Sequence, residues 1–157
     1  MKKSSNKTID LIFKQAVENQ NNKNFQEAEK LYNTVLDLNP NHVGSYNNLG
    51  IMFKNLDKLN EAKKCYEKAI EIDPSSLEAN TNIGTIFLLL KEFNKARIFY
   101  IKALEINPNH IEPQIKLGMI YFHLGQQEKG IELYQKILKY HPNNIDVNNN
   151  LGVAFFE

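Results

Sequence analysis

"NNLGIMFKNLDKLNEAKKCYEKAIEIDP", residues 47–74, holds an apolar run with a glycine inside it, a short polar joint, a second apolar run and a proline. A glycine in a helix interior costs roughly 0.5–1 kcal/mol relative to alanine. The chain nevertheless places one at Gly50, Gly84, Gly118 and Gly152, each 34 residues from the last. Pro40, Pro74, Pro108 and Pro142 keep the same period, as do Tyr32, Tyr66, Tyr100 and Tyr134. Ala28, Ala62 and Ala96 follow it, with Gly130 in the fourth place. Four residue classes sharing one period define an internal repeat, and a repeat decides the fold before any local feature does.

Each repeat reads as two helices. In the quoted unit the apolar periodicity predicts helices over Val43–Asn55 and Asn60–Ile72, joined by "LDKL". "DPSS" ends the pair, because proline cannot continue a helix and disfavours helix in the residue before it. Asn41, Ser75, Asn109 and Asn143 follow the prolines and are expected as N-caps. Glu78, Glu112 and Asp146 lie three places beyond the last three of them, at capping-box spacing, and suit the positive end of a helix. Pro113 falls in a first helical turn, where a missing donor does little harm.

The totals narrow the classes of function. The chain has 157 residues, 42% hydrophobic, with a formal net charge of +1. It can bury a core, and it lacks the basic excess of a nucleic-acid binder. Lys2, Lys3 and Lys7 form a polar leader with no apolar segment behind it, so no secretory signal is read. No run approaches the roughly 18 apolar residues of a membrane span. Cys65 is the one cysteine, which excludes an internal disulfide and favours a reducing, cytoplasmic setting. The "NKT" sequon at Asn6 carries no weight without secretion.

These residues resemble the tetratricopeptide repeat family, whose 34-residue unit runs large apolar, Leu-Gly, aromatic, Ala, aromatic, Pro. The quoted unit supplies Tyr46, Leu49, Gly50, Phe53, Ala62, Tyr66, Ala69 and Pro74. The next supplies Ile83, Gly84, Phe87, Ala96, Tyr100, Ala103 and Pro108; the fourth Leu117, Gly118, Tyr121, Gly130, Tyr134 and Pro142. The first departs at its start, with Gln15 and Ala16 in place of Leu-Gly, and rejoins at Ala28, Tyr32 and Pro40. The resemblance implies an all-α, right-handed superhelical solenoid. It gives residues 1–7 as a flexible leader and 8–157 as one array, with repeats 9–42, 43–76, 77–110, 111–144 and a partial fifth at 145–157. It also implies that Gly50 faces Ala62, with Phe53 and Tyr66 on either side.

The family's first helices line a concave groove, and the residue before each Leu-Gly pair points into it. Here these are Lys14, Asn48, Asn82, Lys116 and Asn150. The row is similar to the asparagine ladder of O-linked N-acetylglucosamine transferases, interrupted by the lysines. An asparagine both donates and accepts, so it can hold a peptide main chain without reading its sequence. Neighbouring groove positions are Asn47, Thr81, Ile115 and Asn149 before the row, and Ile51, Thr85, Met119 and Val153 after it, with Lys54, Leu88 and Phe122 beyond. The basic set with which chaperone-binding relatives grip a terminal carboxylate is missing. The matching positions in one register are Asn47, Ile51, Asn82, Glu112 and Lys116.

No catalytic constellation is read. His42, His110 and His141 fall in turns, His123 near the end of a first helix, and Cys65 on a second helix beside Tyr66. There is no phosphate loop, zinc motif or nucleophile elbow. The expected protein is a scaffold without enzymatic activity, cofactor or metal. It would bind a protein or peptide, not nucleic acid or membrane. The alternative is the substrate-recognition region of a longer enzyme such as a glycosyltransferase, continuing past residue 157. A third expectation is self-association through Leu151 and Phe155 on the last helix.

Overall fold

The structure, a computed structural model, describes residues 2–156 and the side chains of residues 6–153. Among the described residues the fold is all-α. The helices are α1 (Lys2–Asn21), α2 (Phe25–Leu38), α3 (Val43–Asn55), α4 (Leu59–Ile72), α5 (Leu77–Leu89), α6 (Phe93–Ile106), α7 (Ile111–His123), α8 (Gln127–Tyr140) and α9 (Ile145–Phe156). Residues 2–7, read from the sequence as a leader, belong to α1. Two units are distinguished, Met1–Ala79 and Asn80–Glu157, with the division inside α5.

In the first unit α1 packs on α2, α3 on α4, and α3 also meets α1 and α2. Ala16, Ala28, Tyr32, Leu49 and Met52 form its buried cluster. Ala16 stands where the other repeats have glycine. In the second unit Phe87 of α5 stacks on Phe99 of α6 at 5.5 Å between ring centres. There α7 packs on α6, α8 and α9, and Tyr134, Ile137 and Val147 form a cluster that Leu151 packs against. Leu151 is therefore partly covered, not bare as the sequence suggested. The Phe155 side chain lies outside the described residues.

The turns repeat as strictly as the helices. Lys23, Asp57, Lys91 and Gly125, again 34 apart, have φ between 58° and 69°. Around Asp57 the amide of Lys58 donates to Phe53 O at 2.9 Å and that of Asp57 to Lys54 O at 3.0 Å. This is the Schellman termination, whose left-handed residue is most often glycine. Only the fourth turn uses one, so three of these stops carry no glycine signal in the sequence.

The caps correct the sequence reading by one residue. His42, Ser76 and Asn144 receive the helix amides: Ser45 N to His42 Nδ1 at 3.1 Å, Ala79 N to Ser76 Oγ at 3.3 Å, and Val147 N to Asn144 Oδ1 at 3.0 Å. His110 takes the same place before α7 without a side-chain cap bond. Asn41, Ser75 and Asn109 instead sit in turns closed from the other side. Their amides donate to the side chains of Asn39, Asp73 and Asn107 at 3.0–3.2 Å. Asn39, Asp73 and Asn107, each before a proline, are extended, and the side chain of each closes its turn. Glu78, Glu112 and Asp146 remain in first helical turns.

Gly50, Gly84 and Gly118 face tyrosine rings, and the atoms nearest to a Cβ on Gly50 belong to Tyr66. A Cβ built on Gly50 would lie 2.5 Å from Tyr66 Cε1; on Gly118 it would overlap the Tyr134 ring, and on Gly84 it would lie 3.2 Å from Tyr100. Each of these tyrosines is fully buried. Gly130, at the alanine place of its repeat, is matched by Phe122, whose ring would stand 2.8 Å from an added Cβ. Beside Gly152 nothing lies within 4 Å among the described residues.

These contacts grade the expected cost of a methyl group. Gly50→Ala and Gly118→Ala should each destabilise by about 1–3 kcal/mol, and Gly84→Ala by less. Gly152→Ala should be neutral or stabilise by up to about 1 kcal/mol, from helix propensity alone. Urea unfolding of the four variants checks the order; equal effects would contradict it.

The His42 cap predicts a pH dependence. Burial lowers its pKa, opposed by the nearby Asp10 carboxylate, and a protonated Nδ1 could not accept from Ser45. The folded value lies below the unfolded one of about 6.5. The stabilisation is therefore complete above that pH and is lost as the pH falls through the folded value. His42→Asn keeps a cap, so its melting temperature should fall less between pH 8 and pH 5 than that of the wild type.

Candidate functional site: the faces of the first helices

The residues expected in a groove do not share one environment. In the first unit Asn48, Ile51 and Lys54 of α3 are half-buried and Lys14 of α1 is exposed, while Asn47 is only 3% exposed. In the second unit Asn82 and Thr85 of α5 are half-buried, whereas Thr81 is 7% exposed. Asn47 Oδ1 and Thr81 Oγ1 are buried without a hydrogen-bond partner. These two side chains are packed inside, one helical step from the face that carries Asn48 and Asn82. Asn149 is exposed and Asn150 half-buried.

The second unit brings several expected residues together. One cleft of about 340 Å³ is walled by Met119 and Phe122 of α7, Tyr134 of α8, and Asn150 and Val153 of α9, completed by His123 and Gln127. His123 lies flat against Phe93, 4.5 Å between ring centres. A second cleft of about 510 Å³ is walled by Ile111, Glu112, Ile115, Lys116 and Met119 of α7, with Asn144, Asp146 and Asn150. Met119 and Asn150 belong to both walls. Leu88 is half-buried, and Phe122 both packs on Tyr134 at 5.5 Å between ring centres and faces the first cleft.

Sequence reasoning missed the part played by the tyrosines. Tyr134 donates its hydroxyl proton to Ile115 O at 3.0 Å and accepts from Asn150 Nδ2 at 3.0 Å. One hydroxyl thus ties α8 to α7 and α9. The direction of the second bond is forced: the carbonyl can only accept, which uses the single phenolic proton, so the asparagine must present its amide nitrogen. Asn150 Oδ1 makes no hydrogen bond among the described residues. In the first unit the Tyr32 hydroxyl donates to Gln20 Oε1 at 2.7 Å, and the nearby Asn48 side chain opposes the rise of its pKa. Tyr100 instead pairs with Thr85 Oγ1 at 2.9 Å, in the repeat followed by Lys116. The Tyr66 hydroxyl is buried with no hydrogen-bond partner among the described residues. Burial is the main cause that pushes the Tyr32, Tyr100 and Tyr134 hydroxyls up to about 12, so they remain protonated donors at neutral pH. The 16-residue step from Tyr134 to Asn150, shared by Tyr32 with Asn48 and Tyr66 with Asn82 but not by Tyr100, was the available signal.

Among the described residues no group of three or more His, Cys, Asp or Glu stands at metal-binding spacing, and no helix is long and apolar enough to cross a membrane. Burial is the largest cause raising the Cys65 thiol to about 11, with Glu29 and Glu61 adding to it, so it is not a ready nucleophile.

The helix pairs, their period and the glycine–tyrosine contact define an all-α helical repeat protein. Tetratricopeptide repeat models match residues 9–42, 44–76, 77–110 and 99–132, and a TPR repeat model matches 118–157. The chain belongs to the tetratricopeptide repeat family. Comparison with curated proteins gives no match. Among solved structures the chain is similar to MamA, at 25% identity over 96% of this chain and 82% of that one, with a TM-score of 0.86. It is also similar to YrrB, described as a TPR protein with an unusual peptide-binding site, at 21% identity over 92% and 74%, TM-score 0.82. The first TPR of Spaghetti (RPAP3), bound to the HSP90 peptide SRMEEVD, matches at 20% identity over 74% and 93%, TM-score 0.71.

Tyr134→Phe keeps the ring and removes both hydroxyl bonds. It should cost about 1 kcal/mol of stability and release the Asn150 side chain. Thermal unfolding measures the first, and faster exchange of the Asn150 side-chain amide protons the second.

Proposed function

We propose that this chain is a protein-interaction scaffold that holds an extended peptide on the faces of its first helices and performs no chemistry of its own. The observation that carries this reading is the pair of adjoining clefts along α7 and α9. They combine apolar surface from Ile115, Met119 and Val153 with Asn150, whose Oδ1 makes no hydrogen bond among the described residues. Apolar walls with a few placed polar groups are the usual make-up of a ligand site. Side-chain amides suit a peptide main chain, which offers a donor and an acceptor at every residue. The fold shared with YrrB and with the RPAP3 domain, the one described with a peptide-binding site and the other bound to a peptide, supports the same reading.

Panning a random-peptide display library against the whole chain tests it. Enriched peptides should lose at least tenfold in affinity on Met119→Arg, which fills the shared wall with a charge, while the melting temperature changes little. Peptides that bind the variant as well as the wild type would place the site elsewhere, and an absence of enriched peptides would remove the reading.

A further inference from the structure

The second cleft carries more information about its ligand than a generic peptide groove. Glu112 and Asp146 occupy the same repeat position on the successive first helices α7 and α9, and both belong to its wall. Both are exposed, and among the described residues neither is ion-paired. Lys116, in the same wall, likewise has no ion-pair partner, so the three charges leave the cleft at net −1. The hydrogen-bonding sense agrees with the charge. Asn150 must turn its amide nitrogen to Tyr134, because that hydroxyl spends its proton on Ile115 O. Asn150 Oδ1, which makes no hydrogen bond among the described residues, is then an acceptor beside two carboxylates. On the far side of Met119 and Asn150 the first cleft is largely apolar, walled by Met119, Phe122 and Val153. Val153 is 61% exposed.

The helix dipole explains why an acid is tolerated in each first turn. It does not explain why two acids share a wall with an oriented carbonyl and adjoin an apolar cleft. We propose that the ligand is an extended segment of a partner protein with a lysine or arginine close to a large aliphatic residue. The cation lies between Glu112 and Asp146, a main-chain N–H donates to Asn150 Oδ1, and the aliphatic side chain enters the cleft of Met119, Phe122 and Val153. Lys116 supplies the donor for a main-chain carbonyl. The inference rests on the groove reading above and adds the chemistry of the occupant. An acidic segment would meet two carboxylates and one ammonium, which makes it the disfavoured partner.

Three acetylated, amidated octapeptides test the assignment. They are identical except at one place, which carries Lys, Gln or Glu two residues before a leucine. Binding to the whole chain is read by fluorescence polarisation. The lysine peptide should bind about three- to tenfold more tightly than the glutamate peptide at low salt, the range expected for two solvated rim charges. The gap should close as salt rises towards about 0.5 M, and it should vanish or reverse in Glu112→Gln/Asp146→Asn, where Lys116 is the one charge left of the three. The salt titration needs no variant, so it stands even if the substitutions disturb α7 or α9. Equal binding of the three peptides, tighter binding of the glutamate peptide, or a gap that persists in the double variant would overturn the inference. If none of the three binds while library-selected peptides do, the inference falls and the groove reading stands. If no peptide of either kind binds, both fall.

Discussion

The tyrosine ring of each second helix, pressed against a residue with little or no side chain on the first, is the contact on which the helix pairs depend. It occurs as Tyr66 on Gly50, Tyr100 on Gly84 and Tyr134 on Gly118. The first pair is the same arrangement with Ala16 buried in the cluster that holds Tyr32. The ring takes up the room that a side chain on the first helix would occupy, so a flat, wide group can lie across a close helix crossing. Interiors packed to crystal-like density leave no slack at such a point. The cost of a glycine in a helix is therefore set against the burial of a whole aromatic ring, worth roughly 2–3 kcal/mol.

The same tyrosine has a second end. Its hydroxyl cannot be buried without a partner at no cost, and for Tyr134 the partners are the Ile115 carbonyl and an asparagine on the next first helix, Asn150. Packing within one repeat and the orientation of a polar side chain on the following one are thus linked through one residue. At Tyr134 the link also fixes which atom of the asparagine is used and leaves its Oδ1 able to accept. A residue chosen for its ring thereby determines the hydrogen-bonding sense of the cleft.

Much of the fold was legible because period and residue class agree. The 34-residue spacing of glycine, tyrosine, alanine and proline placed α3 at Val43–Asn55 as observed. The residues that failed to signal themselves did so for physical reasons. Lys23, Asp57 and Lys91 adopt the left-handed conformation without being glycine, so composition did not mark those helix ends. His42 caps a helix through a ring nitrogen, a role usually given to Ser, Thr, Asp or Asn. Asn47 and Thr81 share a helix face with accessible groups in a linear reading, yet packing buries them. Glu112 and Asp146 were legible as helix-end acids 34 residues apart; the cleft whose wall they share is formed by the packing of α7 and α9.

A double-mutant cycle between Gly118 and Tyr134 addresses the central contact most directly. Gly118→Ala, Tyr134→Leu and the pair are compared by urea unfolding. If the ring is what forbids a side chain at 118, the added methyl group should cost much less in the leucine background, with a coupling energy of at least about 1 kcal/mol. Strictly additive effects would mean that the glycine is kept for some reason other than the tyrosine, and the account built on that contact would be wrong.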